Sequence, residues 1–199
     1  ALAYLRTRPD VIADRIGLQG WSNGGSAALA AMAPDAPGIK TRTPAAGFRA
    51  ALVFYPGCGL QGRFVHGLKP YAPVRIFQGD ADEEVSPQRC RRLATRSRAR
   101  GGDLALTLYP AATHGFDDPG RTHQRVAANA SAKLDATAAA QQFFAQELAG
   151  RALRTGARVW AARGPSDWIA DVPNVEFAGI GHGADPTSAA FGARPSMPR

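Results

Sequence analysis

The sequence predicts an α/β fold: a mostly parallel sheet of about four strands with flanking helices. Three observations carry that prediction. Apolar stretches such as "ALVFYPG" (51–57) run on continuously, as strands buried on both faces do. Helix-forming segments or long crossovers separate these stretches, which is what parallel strands require. Each stretch also ends in a polar or glycine-rich turn: "GWSNGG", "YPGCG", "QGDADEE" and "YPAATHGFD".

The elements follow in order. Residues 1–9 read as the end of a helix closed by Pro9. "RIGLQG" (15–20) is a short strand, and an alanine-rich helix over 23–33 follows it, stopped by Pro34. A proline- and glycine-bearing loop fills 34–49. The second strand is 51–57, with a loop over 58–72. "VRIFQGD" (74–80) is the third strand, 87–100 a helix, and "LALTLYP" (104–110) the fourth strand. A loop with His114 leads to a long helix from about 123 to 149. Residues 1–149 thus form one domain. Residues 150–199, rich in Gly, Ala, Arg and Pro without a sustained period, read as an irregular extension.

The chain has 199 residues, 45% of them hydrophobic, which is the range of globular domains. No apolar run approaches the ~20 residues needed to span a bilayer. Residues 1–9 carry an early arginine pair and no long apolar core, unlike a signal peptide. The net charge of +8 comes almost wholly from arginine, with lysine only at Lys40, Lys69 and Lys133. In the densest run, Arg89, Arg92, Arg96 and Arg100 recur at helical spacing on one face, with Cys90 and Leu93 off it. No aromatic residues interleave with them as nucleic-acid stacking wants, so this is a solvated face rather than a nucleic-acid site. The two cysteines, Cys58 and Cys90, lack metal-ligand spacing. They are buried free thiols or one disulfide. No metal or organic cofactor is implied.

Gly20-x-Ser22-x-Gly24 has the spacing of a nucleophile elbow, with a strand before it and a helix after it. Such a turn forces the serine into an unfavourable backbone conformation, and side chains two residues to either side would collide. It lifts the hydroxyl clear of the sheet and aims the first free helix amides at a reacting carbonyl. A serine hydroxyl is a weak nucleophile without a base, and the base needs a carboxylate to orient it. Acid and base follow at later strand ends, in the order serine, acid, histidine. The acid is Asp82, two residues past its strand. Asp80 is expected to cap its own turn, and Glu83 and Glu84 to face solvent. The base is His114, beside Gly115.

The blocks "GLQGWSNGGSAALAAM", "ALVFYPGCG", "PVRIFQGDADEEVSP" and "LTLYPAATHGFD" resemble the dienelactone hydrolase family of α/β-hydrolases, over roughly residues 1–148. The resemblance implies Ser22 as nucleophile, Asp82 as acid, His114 as base and the Asn23 amide as an oxyanion donor. Trp21 beside Ser22 is a candidate to line the substrate pocket, with a packing role as the alternative. The best-known members carry cysteine where this chain has Ser22, which favours a broader ester or lactone hydrolase with a small-molecule substrate. Relatives with a "YPGC" block resemble exported proteins, and that likeness implies a Cys58–Cys90 disulfide as the alternative to free thiols.

The family's sheet has further strands before the elbow, including the loop that gives a second oxyanion amide. Residues 1–14 are too few to hold them. The chain therefore reads as a partial α/β-hydrolase fold, with 15–20 as an edge strand whose amides lack partners. Loss of one oxyanion donor costs about 3–4 kcal/mol in comparable enzymes. The competing expectation is an inactive remnant or a partner-binding half-domain.

Overall fold

A computed structural model describes residues 1–36, 46–149 and 178–180. Helix α1 is a single turn, Leu2–Leu5, shorter than the sequence suggests. Strand β1 (Gly17–Trp21) runs directly into helix α2 (Ser22–Ala31). Strand β2 (Ala50–Phe54) follows, then a 3₁₀ turn at Leu60–Gly62. Next come β3 (Val74–Gly79), α3 (Pro87–Ala99) and β4 (Leu104–Tyr109). The expected last helix is divided into a short α4 (Arg121–Gln124) and a long α5 (Ala127–Leu148). The break falls at Val126, whose extended backbone (φ −79°, ψ 110°) caps α5.

The strands are all parallel, in the order β4-β3-β2-β1-β5. Strand β5 (Ala178–Ile180) corrects the expectation that β1 is an edge strand. It lies in the segment expected to be irregular, and it pairs Leu18, Gln19 and Gly20 of β1 with Ala178, Gly179 and Ile180. So β1 is an interior strand, not an edge. Three residues are too few to show a strand period, which is why the pairing is invisible in the sequence. The rest of the expected extension, 150–177 and 181–199, lies outside the described residues.

Strand β2 is buried at every position, which explains its unbroken apolar run. Its Ala51 and Val53 join Leu18, Val74 and Ile76 beneath Leu29 of α2, Met32 at the end of that helix and Leu93 of α3. Its Ala50, Leu52 and Phe54 join the opposite layer, with Phe77, Tyr109 and Phe116 under Ala136, Phe143 and Phe144 of α5. Ala132, Ala136 and Ala140 recur every four residues on α5 and are all buried, so the small side chains let this helix lie close to the sheet. Because all strands point the same way, their carboxyl ends share one edge, and the polar turns gather there.

Candidate active site

Ser22 is the first residue of α2 and has φ +48°, a left-handed conformation that costs a non-glycine residue about 1–2 kcal/mol. The corner is that tight because α2 begins with no residue between it and β1. A Cβ on Gly20 would lie 2.4 Å from the carbonyl oxygen of Gly24, so only glycine fits there. Asn23 is the second residue of α2, where backbone amides have no carbonyl acceptor within the helix.

The Ser22 hydroxyl stands 3.0 Å from Nε2 of His114. Nδ1 of His114 faces Asp82, at 2.9 Å from Oδ2 and 3.1 Å from Oδ1. An imidazole carrying its proton on Nδ1 donates to Asp82 and leaves Nε2 free to accept from Ser22. The three residues sit at the ends of β1, β3 and β4, and the structure brings all of them together. The Asp82 side chain is 0% exposed and that of His114 7%.

Asp82 is fully coordinated. Its Oδ1 accepts the backbone amides of Glu84 (3.0 Å) and Val85 (2.9 Å), and its Oδ2 accepts Nε2 of Gln78 at 2.6 Å. Burial pushes this carboxyl upward. The bonds from His114, Val85 and Glu84, with the charge of His114, outweigh burial and hold it below the usual value. The balance at His114 has the same form: burial disfavours the imidazolium, but the hydrogen bond and charge of Asp82, then the charges of Glu84 and Glu83, raise its pKa above 6.5.

The other acids depart from expectation. Asp80 does not cap its own turn; its carboxylate accepts the amide of Ala111, tying the end of β3 to the loop after β4. Gly79 permits that approach, since a Cβ there would lie 2.1 Å from the carbonyl oxygen of Ala112. Glu83 and Glu84 are exposed as expected, yet both reach His114. Glu83 accepts its backbone amide at 3.1 Å, and Oε2 of Glu84 lies 3.5 Å from Nε2.

Several residues of the site were not singled out in the sequence. Gln78 and Asn129 are both fully buried polar side chains. Asn129 of α5 accepts the amide of Thr113 and donates to its hydroxyl, fixing the residue before His114. Tyr55 (φ +36°) presents its ring edge-on to His114, with centroids 4.6 Å apart. The readable signal for Asn129 is one amide in an alanine-rich helix. Gln78 is a polar residue in a strand otherwise apolar at its buried positions.

Cys58 and Cys90 form a disulfide with Cα atoms 5.1 Å apart. It stands beside an open groove of about 470 Å³, lined among others by Asn23, Ser26, Leu60, Glu84 and Arg89. Trp21 does not line this groove. Its indole N–H donates to Asp117 at 2.7 Å and its ring stacks on Phe54. Among the described residues no cluster of His, Cys, Asp and Glu is suited to hold a metal ion, and no helix is long and apolar enough to cross a membrane.

Known structures share this fold. The apo form of Thermogutta terrifontis esterase 2 superposes with a TM-score of 0.51 at 25% identity, over 71% of this chain and 60% of its own. The native form of that thermophilic Planctomycetes esterase gives 0.51 at 24% identity, over 72% and 60%. This chain therefore spans about 60% of the length of the solved esterases it matches. A search of curated proteins returns no match. The model of the dienelactone hydrolase family matches residues 1–148, which contain every residue of the hydrogen-bonded line from Ser22 to Asp82. By that match, the chain belongs to the dienelactone hydrolase family.

Proposed function

We propose that this chain hydrolyses a carboxylic ester or lactone through an acyl-enzyme on Ser22. The single observation that carries the reading is the unbroken line from the Ser22 hydroxyl to Nε2 of His114 and from Nδ1 to the buried Asp82 carboxylate. Family membership and the likeness to an esterase support the reaction class.

The reading gives these steps. Ser22 Oγ bonds to the substrate carbonyl carbon while its proton passes to Nε2 of His114. Charge collects on the former carbonyl oxygen, and in this reading the Asn23 amide holds it. The buried Asp82 stabilises the imidazolium that forms. As the tetrahedral intermediate collapses, His114 gives its proton to the leaving alkoxide. In a lactone that oxygen stays tethered to the acyl group. Water then attacks the acyl-enzyme, its proton passes to His114, and collapse releases the acid and returns the proton to Ser22. The groove beside Asn23 and Glu84 offers room for a small substrate.

The test is an active-site-directed fluorophosphonate, with the labelled peptide located by mass spectrometry. Label is expected on Ser22, and none on Ser22→Ala or His114→Ala. A folded chain that takes no label, or takes it elsewhere, defeats the assignment.

A further inference from the structure

One carboxylate beside the site is not used in the steps above. Asp117 lies three residues past His114, in the loop after β4. Its Oδ2 accepts the indole N–H of Trp21 at 2.7 Å, and its Oδ1 accepts the phenol of Tyr55 at 2.7 Å. Trp21 immediately precedes the nucleophile. Tyr55 immediately follows β2 and holds its ring edge against His114. Three strand ends thus converge on one side chain.

We propose that Asp117 is a positioning residue for the Ser22–His114 pair, tying the residue before the hydroxyl and the ring beside the imidazole to a single carboxylate. The inference rests on the hydrolase reading above.

Asp117 is suited to the task because its own loop is anchored. The Asp118 amide donates to the Gly115 carbonyl, and the Gln124 side chain donates to the carbonyls of Phe116 and Asp118. Both of its oxygens take neutral donors, and among the described residues it forms no ion pair, so it orients groups rather than neutralising a charge. Burial, then the Asp117 charge, push the Tyr55 phenol far above its ordinary pKa, so this donor keeps its proton at every working pH. Tyr55 also holds a left-handed backbone conformation, which needs surrounding contacts to persist. Asp117 touches neither reacting atom. It acts through Trp21 and Tyr55, and loss of either bond lets serine and imidazole drift apart.

The experiment compares Asp117→Ala and Asp117→Asn in the full chain. It reads the second-order rate of fluorophosphonate labelling, kcat and KM on p-nitrophenyl acetate, and folding by circular dichroism. Misplacement by about 1 Å can cost roughly 100-fold. Asp117→Ala is therefore expected to slow labelling and kcat by ~10–100-fold with KM nearly unchanged. Asn can still accept from Trp21 and donate to the Tyr55 oxygen, so Asp117→Asn is expected to recover most of that loss. A folded Asp117→Ala that labels as fast as the parent overturns the inference, as does an Asn variant no better than Ala. Should Asp117→Ala not fold, the double variant Trp21→Phe, Tyr55→Phe removes both donors while keeping the rings, and a parental rate there overturns it equally. A parent that takes no label at Ser22 sinks the hydrolase reading and this inference with it. A parent that labels, beside an unimpaired variant, sinks the inference alone.

Discussion

Gln78 donates from inside β3 to Oδ2 of Asp82 at 2.6 Å, so the strand that delivers the carboxylate also orients it. Gln78→Met keeps the side chain's length and removes the donor. Loss of a hydrogen bond to a buried charge costs about 1.5–3 kcal/mol. Urea denaturation at neutral pH is expected to show a loss of that size. Labelling should also fall, because Oδ2 of Asp82 then loses the donor that helps hold it toward His114. An unchanged midpoint and rate would count against this role.

The proposed reaction needs neutral His114, whose pKa lies above 6.5 because Asp82, Glu84 and Glu83 together outweigh burial. Labelling should therefore rise with pH and reach half its maximum above pH 6.5. Glu84→Gln removes one of those charges and should move the profile to lower pH. A profile that stays in place, or moves upward, refutes this account of the shift.

The same shifts set how stability depends on pH. His114 is raised in the folded state, so its contribution is complete below 6.5 and is lost as pH rises through the folded value. Asp82 is lowered, so its contribution is complete above 3.8 and is lost as pH falls through the folded value. Both are present between those limits. Thermal melts across pH should separate the parent from Asp82→Asn most widely inside that window and less on either side.

Ser22 occupies φ +48°, where glycine is at ease and alanine is not. Both Ser22→Ala and Ser22→Gly remove the hydroxyl. Of the two, Ser22→Gly is expected to be the more stable by about 1 kcal/mol. Chemical denaturation of the pair checks this, and equal midpoints would mean that the corner carries no strain.

The Cys58–Cys90 disulfide closes a sequence separation of 32 residues. Constraint of the unfolded chain by a loop of that length is worth about 4 kcal/mol. Replacing both cysteines by alanine should lower the melting temperature markedly. Labelling of Ser22 should persist at temperatures where the variant is folded, because neither sulfur contacts the Ser22–His114–Asp82 line. Its disappearance in a folded variant would show that the bridge shapes the site directly.

Taken alone, the sequence determined four strand positions, their parallel direction, and the order of a serine, an acid and a histidine along them. Those are local properties: burial on two faces makes a continuous apolar run, and parallel strands end on one edge. Ser22, Asp82 and His114 were legible because each follows a strand at its carboxyl end. Gln78, Tyr55, Asn129 and Asp117 were not, because a polar residue whose hydrogen bonds are made inside the fold reads, in the sequence, like one held by water. The bonds of Asp117 to Trp21 and Tyr55 span 96 and 62 residues. Pairing of β1 with Ala178–Ile180 was equally hidden, since three residues carry no period of their own. The tertiary structure alone decided which oxygen meets which proton, because the sheet sets those distances and no stretch of chain encodes them locally.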